Sequence, residues 1–530
     1  MSRSSPGGRS NPVSGPRSTV SGRHVTVAGV GVAGSAAALA LRERGARVTA
    51  VDDRDPGPGR VGALTAAGAA VRVGPGAAAT LPPGTELVVT SPGWHPSAPL
   101  LRAAADAGVP VWGEIELAWR LGGDRPGGRL PWLTLTGTNG KTTTVGMLAS
   151  VLAAAGLRAA AVGNVGDPAV TAVADPDLDV LAVELSSFQL HGVSSVAAYA
   201  AALLNLAADH LDWHGGMAAY GSAKARVFDR TVQATVTNAD DPATARLLAA
   251  ATPGPTATAV SFTVGEPGPG QLGMVDGVLV DRAFGGRPGA DGTGLAGAAD
   301  LAHLGVGGVT APHTVADALA AAALARAFGV PAPAVAAGLR AYRPRGHRIA
   351  EVATVAGVRY VDDSKATNPH AAAASLAAFD CVVWIAGGLA KGATFDDLVT
   401  GAAPRLRAVV LLGTDRGLIA DALARHAPDV PVTVLDGLDT DAVGTDVGRT
   451  GTGRTGTGPT GTGPTGTGRI GTGRTGAGGD PMGAAVTAAA AAARPGDVVL
   501  LAPACASMDA FRDYVDRGEK FAAAVARLRA

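Results

Sequence analysis

Short Val-rich apolar runs recur along the chain, and each is followed by a longer stretch in which Ala and Leu return with helical spacing. The runs fall at 24–28, 47–52, 87–90, 132–136, 180–184, 199–205, 233–237, 381–386, 408–413 and 497–502, with a further one at 359–362. Short continuous apolar runs fit strands covered on both faces, as in parallel sheets. Their alternation with helices predicts an α/β fold with mainly parallel sheets. Gly, Pro and Arg interrupt the rhythm at 122–130 and 341–347. These linkers divide the chain into 23–122, 130–340 and 343–530, the three domains expected for 530 residues at about 150 residues each.

Composition changes this picture in a few places. Residues 1–22 are mostly Ser, Gly, Pro and Arg without an apolar run, which predicts a disordered tail and no export signal. From Arg449 the pentapeptide RTGTG and its variants recur six times. No position in them can build a core, so 444–479 is expected as an inserted surface loop. Alanine-rich stretches such as 484–493 are too short and too weakly apolar to span a bilayer. The 44 basic residues equal the 44 acidic ones, which argues against nucleic acid or an acidic membrane as a charge-driven partner. Cys381 and Cys505 are too few for a disulfide framework. A cytoplasmic protein is expected.

Candidate chemistry sits where strands end. After the run 24–28 comes Gly29-Val30-Gly31-Val32-Ala33-Gly34, then a helix to Arg44. Asp52 closes the next strand, 18 residues after Gly34. Such glycines let backbone N–H groups approach a diphosphate at a helix N-terminus, and the acid can accept from a ribose hydroxyl. This fits NAD, and it fits a UDP-sugar by the same physics; a plain βα turn would also look similar. Ser91, in Thr90-Ser91-Pro92-Gly93, lies at another strand end. The run 132–136 leads into Gly137-Thr138-Asn139-Gly140-Lys141-Thr142-Thr143 and a helix expected over 145–155. This is a phosphate loop: backbone N–H groups cradle phosphates, Lys141 reaches the β and γ groups, and Thr142 can ligate Mg²⁺. It is shorter than the usual motif, with Leu135 where a first Gly belongs. Glu184 ends the run 180–184 and can complete a Mg²⁺ shell. His210 and Lys224 follow the run 199–205; spacing alone leaves either of them as an ordinary structural or solvated side chain.

GTNGKTT, ELSSFQL, the NLAADHLDWH stretch with Lys224, DDSKATNPHA and APACASMDAF together resemble the Mur ligases, and within them the members that add D-glutamate. The resemblance covers about 24–443 and 480–528. It implies a Rossmann-like N-terminal domain, a central P-loop ATPase domain and a Rossmann-like C-terminal domain. It also implies ATP-driven amide formation between UDP-N-acetylmuramoyl-L-alanine and D-glutamate through an acyl phosphate, by a monomer in the cytoplasm.

By that resemblance Gly137, Thr138, Asn139, Gly140, Lys141, Thr142, Thr143 and Arg348 bind ATP. Two Mg²⁺ ions are implied, one on Thr142 and Glu184, the other on His210 and a carbamylated Lys224. Gly29, Gly31, Gly34, Asp52, Arg54, Ser91, Asn164, Ser186 and Gln189 hold the UDP substrate, which displaces the NAD reading. Lys365, Thr367, Lys391, Ser507 and Tyr514 hold D-glutamate. Cys505 needs no catalytic role, because ATP supplies the activation. The family's usual P-H-N-x-x-N-A helix start has Thr314 and Asp317 in place of its two Asn. Thr can still donate and accept, whereas an ionised Asp only accepts, so the resemblance does not carry the family's adenine contacts onto these positions. The alternatives are a Mur-type ligase for another amino acid, a folylpolyglutamate-type ligase, an NAD-dependent oxidoreductase fused to a P-loop domain, or a nucleotide-binding switch protein.

Overall fold

The computed structural model describes residues 19–284, 292–305, 310–344, 346–436, 470–474 and 480–529. The chain forms two compact units: one takes in the chain to Leu206, Ala218–Leu301 and Thr314–Tyr342, the other Ala207–Met217, Ala302–His313 and the chain from Arg343.

The first unit contains two sheets. β1 (His24–Ala28), β2 (Arg47–Asp52), β3 (Ala70–Val73), β4 (Leu87–Thr90) and β5 (Val111–Gly113) stand in the order β3-β2-β1-β4-β5. All their pairings are parallel. The second sheet is built from β6 (Trp132–Thr136), β7 (Ala159–Gly163), β8 (Val180–Glu184), β9 (Ala200–Leu203), β10 (Ala234–Asn238), β11 (Thr258–Phe262), β12 (Gln271–Val275), β13 (Val278–Asp281) and β14 (Thr293–Gly297). Its order is β14-β13-β12-β11-β10-β9-β6-β8-β7. It is parallel from β7 to β12 and ends in the antiparallel pairings of β13 and β14. Val25, Val27, Leu41, Trp132, Leu181 and Phe228 belong to one core that runs through both sheets. Within it the ring of Trp119 meets Trp132 edge-on at 5.1 Å. With few aromatics, small side chains do much of the packing. Ala318, Leu319, Ala320, Ala321, Ala322, Ala323, Leu324 and Ala325 are all fully buried, so this helix is covered on every side.

The second unit is built on one sheet: β15 (Ala350–Val355), β16 (Val358–Asp362), β17 (Val382–Ala386), β18 (Leu406–Leu411), β19 (Val432–Asp436), β20 (Ile470–Arg474) and β21 (Val498–Leu501). Its order is β15-β16-β21-β17-β18-β19-β20, with only β15 antiparallel to its neighbour. The fold is α/β with three domains. In the first sheet the strand order reverses between β1 and β4, a switch point of the kind at which ligands of open sheets bind.

The structure departs from the sequence expectations at several points. Residues 19–22 form a turn, not the end of a tail: Val20 is fully buried and Gly22 N–H donates to Gly45 O at 3.0 Å. Residues 1–18 lie outside the described residues. Within the expected insert, Ile470–Arg474 pairs in parallel with β19, because an edge strand needs backbone partners and no apolar side chains. The rest of 444–479 up to position 479 lies outside the described residues. The helix expected from position 145 begins at Lys141, since the last residues of the phosphate loop form its first turn. The edge strands β3, β5 and β7 do not stand out, because they are short and mostly only partly buried.

Candidate active site

Each predicted cluster lies at the carboxyl ends of parallel strands. After β1, the chain turns through residues 29–31 into the helix Val32–Glu43. A Cβ on Gly34 would overlap the carbonyl of Gly29, so only glycine lets helix and loop approach this closely. Asp52, at the end of β2, is buried; its Oδ2 accepts the Val30 N–H at 2.8 Å and its Oδ1 the Arg54 N–H at 3.0 Å. Ser91, just beyond β4, donates from Oγ to the Gly29 carbonyl at 3.3 Å. Gly29, Gly31, Gly34, Asp52, Arg54 and Ser91 are thus gathered at one end of the first sheet.

After β6, residues 137–140 lead into the helix Lys141–Ala154. Gly140 is left-handed at φ +81°, and a Cβ there would run into the Asp317 carboxylate. That carboxylate accepts from the Thr144 hydroxyl at 3.1 Å. Lys141 Nζ donates to the carbonyls of Gly137 at 2.9 Å and Thr138 at 2.8 Å. Lys224, 1% exposed, donates to the same Gly137 carbonyl at 2.7 Å. Tyr220 lies beneath both groups: its hydroxyl is 3.1 Å from Thr138 Oγ1, and its ring is 4.7 Å from the Lys224 ammonium. Thr142 and Thr143 follow Lys141 in the first helical turn.

Glu184 ends β8, and Asn164 follows β7. Asn164 Nδ2 donates to Glu184 Oε1 at 2.8 Å, and Asn164 N–H donates to the Glu184 carbonyl at 2.8 Å. Glu184 is fully buried, and its Oε2 has no hydrogen-bond partner. A buried carboxylate oxygen left in that state fits a cation, because desolvation without a partner is strongly unfavourable. Among the described residues no three His, Cys, Asp or Glu side chains form a metal-holding group. A cation bound there would have to draw on Glu184 together with hydroxyl, phosphate or water oxygens, ligands that a hard ion such as Mg²⁺ accepts. Next along the chain, Ser186 and Gln189 form a capping box on the helix Ser187–His191: Gln189 N–H donates to Ser186 Oγ at 3.2 Å and Ser186 N–H to Gln189 Oε1 at 2.9 Å.

In the second unit, Asp363, Ser364, Lys365, Ala366, Thr367 and Asn368 follow β16. Residues 387–391 follow β17, and residues 502–507 follow β21. Leu389 and Ala506 exchange backbone hydrogen bonds at 2.9 Å, which fixes the loop of Lys391 beside that of Ser507. The Lys365 ammonium sits 3.9 Å from the centroid of the Tyr514 ring, a cation–π contact. Arg517 is 1% exposed and joins two of the loops. Its Nε and Nη2 donate to Ser364 Oγ at 3.0 Å and Ser364 O at 2.8 Å, and its Nη1 donates to Cys505 O at 3.2 Å. Burial pushes this guanidinium down to about 10. Burial also raises the Asp363 carboxyl to about 6, against the lowering contacts of Ser375 and Arg348. It raises the Cys505 thiol to about 12, so this cysteine stays protonated and unreactive. His347 Nδ1 pairs with Asp362 Oδ2 at 2.6 Å beside Arg348. Lys391 Nζ is 3.6 Å from Asp209 Oδ1, whose other oxygen lies 3.5 Å from His210 Nε2. His210 itself is left-handed at φ +53°.

Sequence reasoning did not single out Asn205, Tyr220, Asp209 or Arg517 as parts of these clusters. The strand-end position of Asn205 was the one available signal. Among the described residues no helix is long and apolar enough to cross a membrane.

Family profiles match in chain order. Residues 23–113 match the Mur ligase MurD-like N-terminal domain, 135–268 the Mur ligase middle domain, and 347–443 the Mur ligase glutamate ligase domain. The chain is 54% identical over 97% of its length to a UDP-N-acetylmuramoylalanine–D-glutamate ligase from Streptomyces coelicolor, covering 100% of that protein. A protein of the same name from Mycolicibacterium smegmatis is 49% identical, with 95% of this chain and 96% of that one covered. In fold the chain is similar to the UDP-N-acetylmuramate–alanine ligase of Thermotoga maritima, with a TM-score of 0.53 at 18% identity over 96% of this chain and 99% of that one. The chain belongs to the Mur ligase family.

Proposed function

We propose that this chain is the ATP-dependent ligase that joins D-glutamate to UDP-N-acetylmuramoyl-L-alanine, a step of peptidoglycan precursor synthesis carried out in the cytoplasm. The observation that carries this reading is the 54% identity, over 97% of the chain, to a protein of that name. DSKATN, at residues 363–368, supports the choice of D-glutamate over other acceptors. An oxidoreductase or a switch protein leaves the middle and C-terminal family matches without a purpose.

The reaction follows from the poor electrophilicity of a carboxylate. A carboxylate oxygen of the alanyl group attacks the γ-phosphorus of ATP, and ADP leaves. The D-glutamate amine then attacks the acyl carbon, the tetrahedral adduct expels phosphate, and the nitrogen loses a proton. The protein's work in such a transfer is positioning and charge neutralisation. We assign residues 137–143 and Arg348 to ATP, with Lys141 as the cation for the transferring group. The end of the first sheet, from Gly29 to Gly34 with Asp52, Arg54 and Ser91, takes the uridine diphosphate; Asn164, Ser186 and Gln189 take the acyl end.

Thr142 and Glu184 would hold one Mg²⁺, with Asn164 fixing the Glu184 carboxylate. For the second Mg²⁺ we assign Lys224 in the first unit, carbamylated when its amine takes up CO₂ and loses a proton. His210 keeps the role that the resemblance implies for it. When bound, these ions supply positive charge to the phosphoryl oxygens. Lys365, Thr367, Lys391, Ser507 and Tyr514 take D-glutamate, with two ammonium groups and three hydroxyls suited to its carboxylates. Incubation with ATP and UDP-N-acetylmuramoyl-L-alanine, without D-glutamate, followed by borohydride, should convert the acyl phosphate to an alcohol. Recovery of the unreduced acid alone would contradict the acyl-phosphate route.

A further inference from the structure

The backbone of the phosphate loop is gripped by a side chain that the motif does not include. Asn205 follows β9, the strand that lies between β6 and β10. Its Oδ1 accepts the N–H of Thr138 at 3.1 Å and of Asn139 at 2.9 Å. Its Nδ2 donates to the Asn139 carbonyl at 3.2 Å. Only one orientation of the amide fits this environment, with oxygen toward two donors and nitrogen toward an acceptor. The Asn205 carbonyl also accepts from Thr138 N–H, at 3.1 Å.

Asn205 is held from both sides in turn. Asn238 Nδ2 donates to the Leu204 carbonyl at 2.9 Å, and Asp241 Oδ2 accepts the Leu206 N–H at 2.7 Å. Asp241 also caps the helix Pro242–Ala249. The conformation of the loop is thereby referenced to the end of β10, two strands away from β6. An alanine at 205 would leave three loop groups without this partner. An aspartate would keep both acceptor contacts, but it would face the Asn139 carbonyl with another acceptor and add a negative charge beside an anion site.

We propose that Asn205 is a positioning residue for the ATP phosphates, its amide setting the backbone of residues 137–140 on which phosphate binding depends. The inference rests on the reading of this loop as the ATP site. It also bears on the two lysines, because Lys141 and Lys224 both anchor on the Gly137 carbonyl of the same loop. The amide acts through the backbone and touches no reacting atom, so its effect belongs to nucleotide affinity.

The test is calorimetric binding of ATP to the full chain, with wild type, Asn205→Ala, Asn205→Asp and Asn205→Leu compared, alongside KM for each substrate. All three variants should bind ATP about ten- to a hundredfold more weakly, with KM for ATP rising in step. KM for D-glutamate and for the UDP substrate should stay within about twofold of wild type. Asn205→Leu, close in size and uncharged, decides the matter should the alanine variant fail to fold: a packing role predicts wild-type affinity for ATP in that variant, and that result would overturn the proposal. Equal losses in all three KM values would overturn it as well. If the wild type itself binds no ATP, the assignment of the loop falls, and the inference with it.

Discussion

The loop after β1 and the loop after β6 both turn a central parallel strand into a helix, and a side-chain acceptor from a neighbouring strand end grips each of them. In the first the acceptor is the Asp52 carboxylate, on the N–H group of Val30. In the second it is the Asn205 amide, on Thr138 and Asn139. The difference lies in charge. The first loop tolerates a buried anion and carries no lysine between Gly29 and Gly34. The second uses a neutral acceptor and sets two ammonium groups on the Gly137 carbonyl. A diphosphate that is only held needs backbone dipoles and a fit. A phosphoryl group in transfer also needs positive charge at hand.

That contrast can be broken by substitution, and the largest effect belongs to the lysine within the second loop. Lys141→Ala should lower kcat by about a thousandfold or more, while calorimetry shows the UDP substrate binding within about twofold of wild type. Comparable activity would mean that the loop binds nucleotide without serving transfer. Lys224→Ala should follow with a loss of about a hundredfold, partly restored by formate or acetate in the assay. A fully active variant would refute the metal role of that residue. In the first loop, Asp52→Ala should raise KM for the UDP substrate by about tenfold and leave kcat and ATP affinity near wild type. A fall in kcat alone would show that the two loops are not separated in function.

A fourth prediction concerns pH. Glu114 is buried, and its Oε1 accepts the Val170 N–H at 2.7 Å, just beyond the segment that carries Asn164. Desolvation raises this carboxyl from 4.5 to about 7, against lowering contacts from Val170 and Ala169. The unfolded chain therefore releases the proton at lower pH than the folded one. The contribution of Glu114 is fully present below about 4.5 and is lost as pH rises through about 7. Chemical unfolding at a series of pH values should show wild type losing stability across that window relative to Glu114→Gln. Parallel curves would remove Glu114 as the source. The smallest effect should come from the pentapeptide region: deleting residues 444–479 should leave kcat within about threefold, since the strand Ile470–Arg474 only extends the edge at β19. An inactive deletion would give that region a role in the site.

The two loops also differ in how far the sequence alone discloses them. Residues 137–143 form one contiguous motif between an apolar run and a helix. The grip of Asn205 on Thr138 joins positions far apart in the chain, and no local pattern encodes it. The same holds for Arg517, whose partner Ser364 lies on another strand end. Strands β3 and β5 escaped notice because short edge strands bury little and need little apolar sequence. The turn of Val20 escaped because one buried valine among polar residues carries no periodicity. The Lys224 contact with Gly137 follows from a helix register that spacing cannot supply.

The central claim concerns the acceptor amino acid. Phosphate release from ATP, measured with UDP-N-acetylmuramoyl-L-alanine and a panel of D-glutamate, L-glutamate, L-lysine and meso-diaminopimelate, tests it most directly, with the product identified by mass. The account predicts turnover with D-glutamate, a product larger by one glutamyl residue, and no more than background release with the others or with either substrate omitted. Full activity with L-glutamate or L-lysine, or phosphate release without the UDP substrate, would contradict it.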